Sequence, residues 1–297
     1  MKLWKVGKVK KVYKVSHKKL QFEFTDQISV FDKVIPSLIP HKGETLCRSS
    51  VYWFKRAHDM GIPTHFLQVL PPNNMEVSRV KILENPSVDD TNYLVPLEFI
   101  VRYYVAGSLL DRIKSKKILP DDIGISSVEY GDPLPDPFVE VTTKFEKVDR
   151  PLTKKEALKL AGITNDEYKS IVETILTIDK DINAQVKKRG LLHVDGKKEV
   201  ALDKDRNIMV VDTYGTADED RFWDLEQYKK GKCIELSKEF VRQYYRDTGY
   251  HEKLYKARAT NDSEPDIPSL PQPMVEKTSQ LYITLYEQIT GEDFHES

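Results

Sequence analysis

The apolar residues of this chain change their period part-way along it, and that change limits the folds open to it. In the first hundred residues the period is two: Leu20, Phe22 and Phe24 alternate with polar neighbours, and Val9, Val12, Tyr13 and Val15 lie in a β-rich stretch. That is the pattern of half-buried strands. Beyond residue 150 the spacing lengthens. Tyr168, Ile171, Val172, Ile175, Ile178, Ile182 and Val186 recur every three or four residues, and Gly190 follows, which reads as one face of a long helix with a glycine stop. Thr153-Lys-Lys-Glu156 and Thr164-Asn-Asp-Glu167 both match a capping box, in which two side chains satisfy the free amides of a helix start. Strands first and helices later, without strict alternation, argue against a doubly wound parallel sheet. The expected class is α+β in two lobes: a β-rich lobe over residues 1–95 and a mixed lobe over 96–297.

Further elements follow from local signals. A helix is expected from Thr45 to Met60, stopped by Gly61 with Pro63 beyond. Strands are expected over Thr64–Val69, Met75–Leu83, Pro96–Arg102 and 191–212, the last with a polar turn near Asp203–Arg206. Ser237 is expected to cap another helix. Four prolines between 261 and 273 make a connector to a last amphipathic helix, Met274–Thr290, with Gly291 after it.

Composition excludes several classes. Apolar residues are 39% of the 297, enough to build a core in one large domain or two packed lobes. Cys47 and Cys233 form no CxxC pair and no disulfide framework, which reads as a reducing compartment. No run of about 18 apolar residues is present to span a membrane, and no apolar leader is read at the N-terminus; a cytoplasmic protein is expected. The formal net charge is −1, so nucleic-acid binding through a global positive field is not expected. The charge is nevertheless uneven: residues 1–20 carry eight lysines and no acid, and a locally basic segment suits phosphate chemistry.

Four segments carry chemistry, each with a plainer alternative. Gly7-Lys-Val-Lys-Lys-Val-Tyr13 places a glycine and lysines where backbone amides could approach a phosphate, or else is a solvated basic hairpin. Asp26-Gln-Ile-Ser-Val-Phe-Asp32 and Ile39-Pro-His-Lys-Gly43 suit capture of a polar ligand or turn chemistry. Arg102 through Gly107-Ser108 could clasp a phosphate or carboxylate, or Arg102 could lie on the surface. In Leu191–Glu199 and Ile208–Asp212, an antiparallel pair turning at 203–206 would bring Glu199 across from or beside Asp212, with Asp195, Lys197 and Glu199 on one face. Two such carboxylates need a cation, commonly Mg²⁺ with nucleotide phosphates; the alternative is an ordinary charged hairpin.

Taken in order, these segments resemble the SAICAR synthetase family over nearly the whole chain. Val95-Pro-Leu-Glu-Phe-Ile-Val-Arg102 fits the family's first signature, and Gly7–Tyr13 fits its nucleotide loop. Thr142-Thr-Lys144, Gly107-Ser108, Asp212 with Asp218 and Arg221-Phe-Trp223, and the closing run Val275–Gly291 match further blocks. The resemblance implies two lobes with ATP between them and a ligase that joins carboxyaminoimidazole ribonucleotide to L-aspartate in purine biosynthesis. It places Gly7, Lys8, Lys10, Arg79, Lys144 and Glu199 around ATP. Lys42, Arg102, Ser108, Asp218 and Arg221 fall to the substrates, and Glu199 and Asp212 to Mg²⁺. Lys10, Lys144 and Arg221 would act in catalysis. No membrane or nucleic-acid partner is implied, and a homo-oligomer is left open. The chain departs from the family pattern at His41, His193, Gly196, Lys198, Thr213, Glu219 and Asp220, and in a longer linker over 85–92. These motivate a second reading: a diverged ATP-dependent ligase or kinase with another acceptor.

Overall fold

The computed structural model describes residues 1–126, 128–146, 149–236 and 238–296. Two antiparallel sheets face each other across a cleft. The first contains β1 (Lys2–Val6), β2 (Lys10–Lys14) and β3 (Lys19–Phe24), together with β6 and β7 below. It is followed by a short hairpin, β4 (Gln27–Val30) and β5 (Lys33–Leu38), and by helix α1 (Lys42–Asp59). β6 (Phe66–Leu70) and β7 (Asn74–Ser78) complete that sheet, whose strand order is β1-β2-β3-β7-β6. The alternation read from Leu20, Phe22 and Phe24 is real: all three are buried and their neighbours are not. The strand expected over Met75–Leu83 stops at Ser78, where the chain leaves the sheet.

After 79–92 the chain enters the second sheet through β8 (Tyr93–Leu94) and β9 (Leu97–Tyr104). Then come α2 (Gly107–Lys114), β10 (Pro133–Thr143), α3 (Lys154–Ala161), α4 (Asn165–Lys188), β11 (Leu191–Leu202) and β12 (Ile208–Val211). β13 (Asp220–Asp224), α5 (Leu225–Lys229), α6 (Glu239–Asp247), α7 (Tyr250–Thr260) and α8 (Gln272–Thr290) complete the chain. The order is β10-β9-β11-β12, with β13 and β8 also paired to β11. β11 is thus the hub of this sheet. Both expected capping boxes form: Glu156 Oε2 accepts the Thr153 amide at 2.8 Å and Glu167 Oε2 accepts the Thr164 amide at 2.7 Å. The helix that Ser237 was expected to cap runs from Glu239, and Ser237 itself lies outside the described residues.

Helix α4 joins two cores. Ile171 and Ile175 pack with Tyr93, Phe99, Val101 and Val200 behind the second sheet. Ile178, Ile182 and Val186, one to three turns on, pack with Phe22 and Phe24 of β3, Leu46 and Phe54 of α1, and Tyr282 and Leu285 of α8. That second cluster is contiguous from the first sheet to the C-terminal helix, so apolar burial continues from the first lobe into the second. Among the described residues, no helix is long and apolar enough to cross a membrane.

Candidate active site

The floor of the cleft is the hairpin of β11 and β12. Glu199 pairs across the ladder with Val211, so Asp212, the next residue, emerges beside it. Asp212 holds a left-handed backbone, φ 59°, which costs energy for a non-glycine residue. Its carbonyl accepts a bond from His65 Nε2 at 3.2 Å. His65 is buried between Phe22 and Phe54, and burial keeps its ring neutral by lowering its pKa to about 4.

The two acids face lysines from separate strands. Lys10 of β2 pairs with Asp212, and Lys144, just past the end of β10, pairs with Glu199. Lys197 bridges Glu98 at 3.0 Å, Glu199 at 3.5 Å and Glu219 at 3.4 Å. Both acids are thus paired with ammonium groups in this structure. Burial works against the charged form of Asp212, but Lys10 and Lys144 outweigh it and hold the carboxyl below its ordinary range. Burial likewise opposes charge on Lys197, yet Glu219, Glu199 and Glu98 raise its pKa well above normal. The floor is an ionised lattice of alternating sign.

Above it lies a cavity of about 480 Å³. Gly7, Lys8 and Lys10 border it from the first turn, and Glu199, Asp212, Thr213 and Asp218 from below. Its far end is apolar: Trp4, Leu20, Val77, Val80, Ile82 and Leu94. One apolar end and one charged end suit a molecule made of a flat heterocycle and phosphates. Gly7 has room for little else, since a Cβ there would lie 3.0 Å from the Lys10 carbonyl.

A second set of cations lies further along β11. Arg102 on β9, Asp195 on β11 and Arg221 on β13 are direct cross-strand partners in one row. Arg102 donates to Ser108 Oγ at 3.1 Å, to Asp195 at 3.3 Å and to Glu140. Arg221 lies 3.8 Å from Asp195 and 3.7 Å from Glu239, and its guanidinium covers Gly107, where a Cβ would come within 2.6 Å. The expected neighbours Arg102, Gly107, Ser108 and Arg221 are brought together; Arg102 is buried with Glu140 and Asp195 and not on the surface, while Ser108 is exposed.

Other expected residues fall differently. Lys8 borders the cavity but pairs with Asp32 at 2.5 Å on an exposed edge. Lys42 is fully buried and does not border the cavity; its Nζ binds Asp218 at 2.9 Å, so it holds that acid in place. Arg79 is also absent from the cavity wall: its guanidinium lies 4.9 Å over the Trp4 ring, and the flanking Ser78 and Val80 supply the wall instead. Glu219, one of the departures from the family pattern, is paired with Lys197 at 3.4 Å. His41, at φ 65°, occupies a backbone that favours glycine.

Several contributors carry no signal in the sequence. Tyr282 of α8 donates to Asp218 Oδ1 at 2.6 Å, and Trp53 of α1 donates to the Gly215 carbonyl at 2.8 Å. Both act from helices far away in the chain, on the apolar face that periodicity assigns to packing. Glu98 lies inside a recognisable segment, but its bond to Lys197 is visible only once β9 and β11 pair.

Comparison with known proteins covers the whole of this architecture. A family model described as SAICAR synthetase matches residues 3–257. The phosphoribosylaminoimidazole-succinocarboxamide synthases of Thermoplasma volcanium and Thermoplasma acidophilum are 53% and 52% identical over 293 residues, 98% of this chain and 99% of theirs. Among solved structures, the SAICAR-synthase from Saccharomyces cerevisiae complexed with SAICAR superimposes with a TM-score of 0.78 at 25% identity, covering 99% of this chain and 96% of that one. A SAICAR synthetase in complex with ADP gives 0.72 at 28% identity, covering 98% and 99%.

Proposed function

The chain belongs to the SAICAR synthetase family, and from that premise we infer how its cleft joins carboxyaminoimidazole ribonucleotide to L-aspartate. The reaction consumes ATP and gives the succinocarboxamide, ADP and phosphate, as a carbon–nitrogen ligase of purine biosynthesis. The observation that carries the reading is the cavity with its apolar end and its floor of Lys10, Lys144, Glu199 and Asp212.

A carboxylate is a poor electrophile. Transfer of the terminal phosphoryl group of ATP to it creates a leaving group, and the aspartate amine then displaces phosphate. Such transfers need positioning and charge stabilisation more than covalent help. The base of ATP lies against Val77, Val80, Ile82 and Leu94, and its phosphates run toward Gly7, Lys8, Lys10 and Lys144. Arg102, Ser108 and Arg221 hold the ribonucleotide. Asp218, fixed by Lys42 and Tyr282, faces the substrate side. Glu199 and Asp212 are hard oxygen donors beside each other on the floor, and they fit Mg²⁺ when the Lys10 and Lys144 ammonium groups turn to the phosphates. When bound there, Mg²⁺ neutralises charge on the phosphates. We place the enzyme in the cytoplasm with its nucleotide substrates.

The test is ADP release measured with the ribonucleotide, with and without L-aspartate. Sustained release should require both. ADP formed equally fast without L-aspartate, or with the ribonucleotide omitted, would show a different acceptor.

A further inference from the structure

Behind the face of β11 that carries Asp195, Lys197 and Glu199 lies a buried cluster of ionisable groups. Asp220, at the start of β13, directs its carboxylate into it. Its Oδ2 lies 2.7 Å from His193 Nε2 and 3.2 Å from Lys198 Nζ. Lys198 also pairs with Asp179 of α4. The side chains of Asp179, His193, Lys198 and Asp220 are all wholly buried. The ligand atoms of Asp179, His193 and Asp220 lie within 4.8 Å of one another, as they would around a metal. Here, though, the Lys198 ammonium lies against both carboxylates, so the cation is part of the chain.

This cluster is tied to the cleft. The other oxygen of Asp220, Oδ1, accepts the Gly215 amide at 2.7 Å, and the Gly215 carbonyl is held from the far side by Trp53. Gly215 begins the loop that carries Asp218 and Glu219. Asp220 is also the neighbour of Arg221, and successive side chains on a strand point to opposite faces. Asp220 therefore reaches into the cluster while Arg221 reaches into the row with Asp195 and Arg102. Gly196, the cross-strand partner of Asp220, leaves the room for this: a Cβ at 196 would lie 2.0 Å from Asp220 Oδ2 and 2.7 Å from Lys198 Nζ. His193, Gly196, Lys198 and Asp220, which look like unrelated departures in the sequence, form one interlocking unit.

We propose that Asp220 is a positioning residue, gripped from behind the sheet by His193 and Lys198, that sets Arg221 and the 215–219 loop against the ribonucleotide. The inference rests on the assignment of Arg221 to that substrate. Gly196→Ala tests it, because one methyl group displaces the Asp220 carboxylate while removing no charged group from the chain. The KM for the ribonucleotide should rise at least about tenfold, and by at least about threefold more than the KM for ATP, since Thr216, Asp218 and Glu219 of the loop border the nucleotide cavity but its apolar end does not touch the cluster. Asp220→Ala should show the same split, and the double variant should be no worse than Asp220→Ala alone, the non-additivity of two residues acting through one contact. A fall in kcat with every KM unchanged is what less folded protein gives, and it would overturn the proposal, as would unaltered kinetics. If Gly196→Ala does not fold, Asp220→Asn carries the same test at the same side-chain size. Arg221→Ala is run beside them. A raised ribonucleotide KM in Arg221→Ala but not in Gly196→Ala overturns the positioning role alone. An unchanged KM in Arg221→Ala removes the substrate assignment and the positioning role with it.

Discussion

Asp212 combines a left-handed backbone with a carboxylate facing a lysine, so its position is fixed by more than its own preferences. Asp212→Asn keeps the shape and removes the charge. Turnover should fall by at least about a thousandfold if metal and phosphate placement depend on it, roughly 4 kcal/mol of transition-state stabilisation. The fold should survive with a lower melting temperature, because the exchange leaves Lys10 without its ionic partner. An Asn variant with the wild-type rate and the same Mg²⁺ dependence would remove this site. Glu239 gives a pH prediction. Burial alone would raise its pKa, but Arg242 and Arg221 outweigh burial and lower it from 4.5 to about 2. A carboxyl lowered by folding stabilises the folded state above its unfolded pKa, and that contribution is lost as pH falls from about 4.5 toward 2. In Glu239→Gln, the loss of stability between pH 6 and pH 2 should be smaller than in the wild type by on the order of 3 kcal/mol. Acid titration followed by circular dichroism checks this. At this scale the sequence revealed the charged residues and their spacing. It did not reveal their pairing, because Lys10 and Asp212, or Lys198 and Asp179, meet only through the fold.

The elements most legible in the sequence were those whose local signals agree with their packing. α4 has a capping box, one apolar face and a glycine stop, and it runs from Asn165 to Lys188 as its pattern indicates. α8 begins two residues before the expected Met274. β10 escaped notice because Pro133, Pro135 and Pro137 argue against a strand; it is an edge strand, where missing amides are tolerated. The β4–β5 hairpin escaped because its turn is Phe31-Asp32, both at positive φ, without the Asn-Gly or Asp-Gly that marks such turns. The cap of α4 provides a test at this scale. Thr164→Ala removes the acceptor for the Glu167 amide and should cost about 1 kcal/mol. Thermal unfolding should register it, and every KM should stay unchanged, since the cap lies away from the cleft.

Across the whole molecule, helices α1 and α8 meet at Asp218, on the wall of the cavity. Tyr282 of the last helix bonds Asp218, which the buried Lys42 of α1 holds from the other side. Tyr282→Phe should lower kcat/KM about tenfold, roughly 1.4 kcal/mol, with the fold retained; an unaffected kcat/KM would leave Asp218 positioned by Lys42 alone. The shared core of α1 and α8 also governs how the chain is made. More than two-thirds of the sequence separates these helices. A nascent chain leaving the ribosome therefore completes its first sheet early and waits for almost all remaining synthesis before α1 gains its cover. Contacts of such long sequence separation fold slowly and leave apolar surface open meanwhile. Chains released before α8 emerges should be clients of chaperones or proteases, so quality control can read the presence of the last helix before any substrate does.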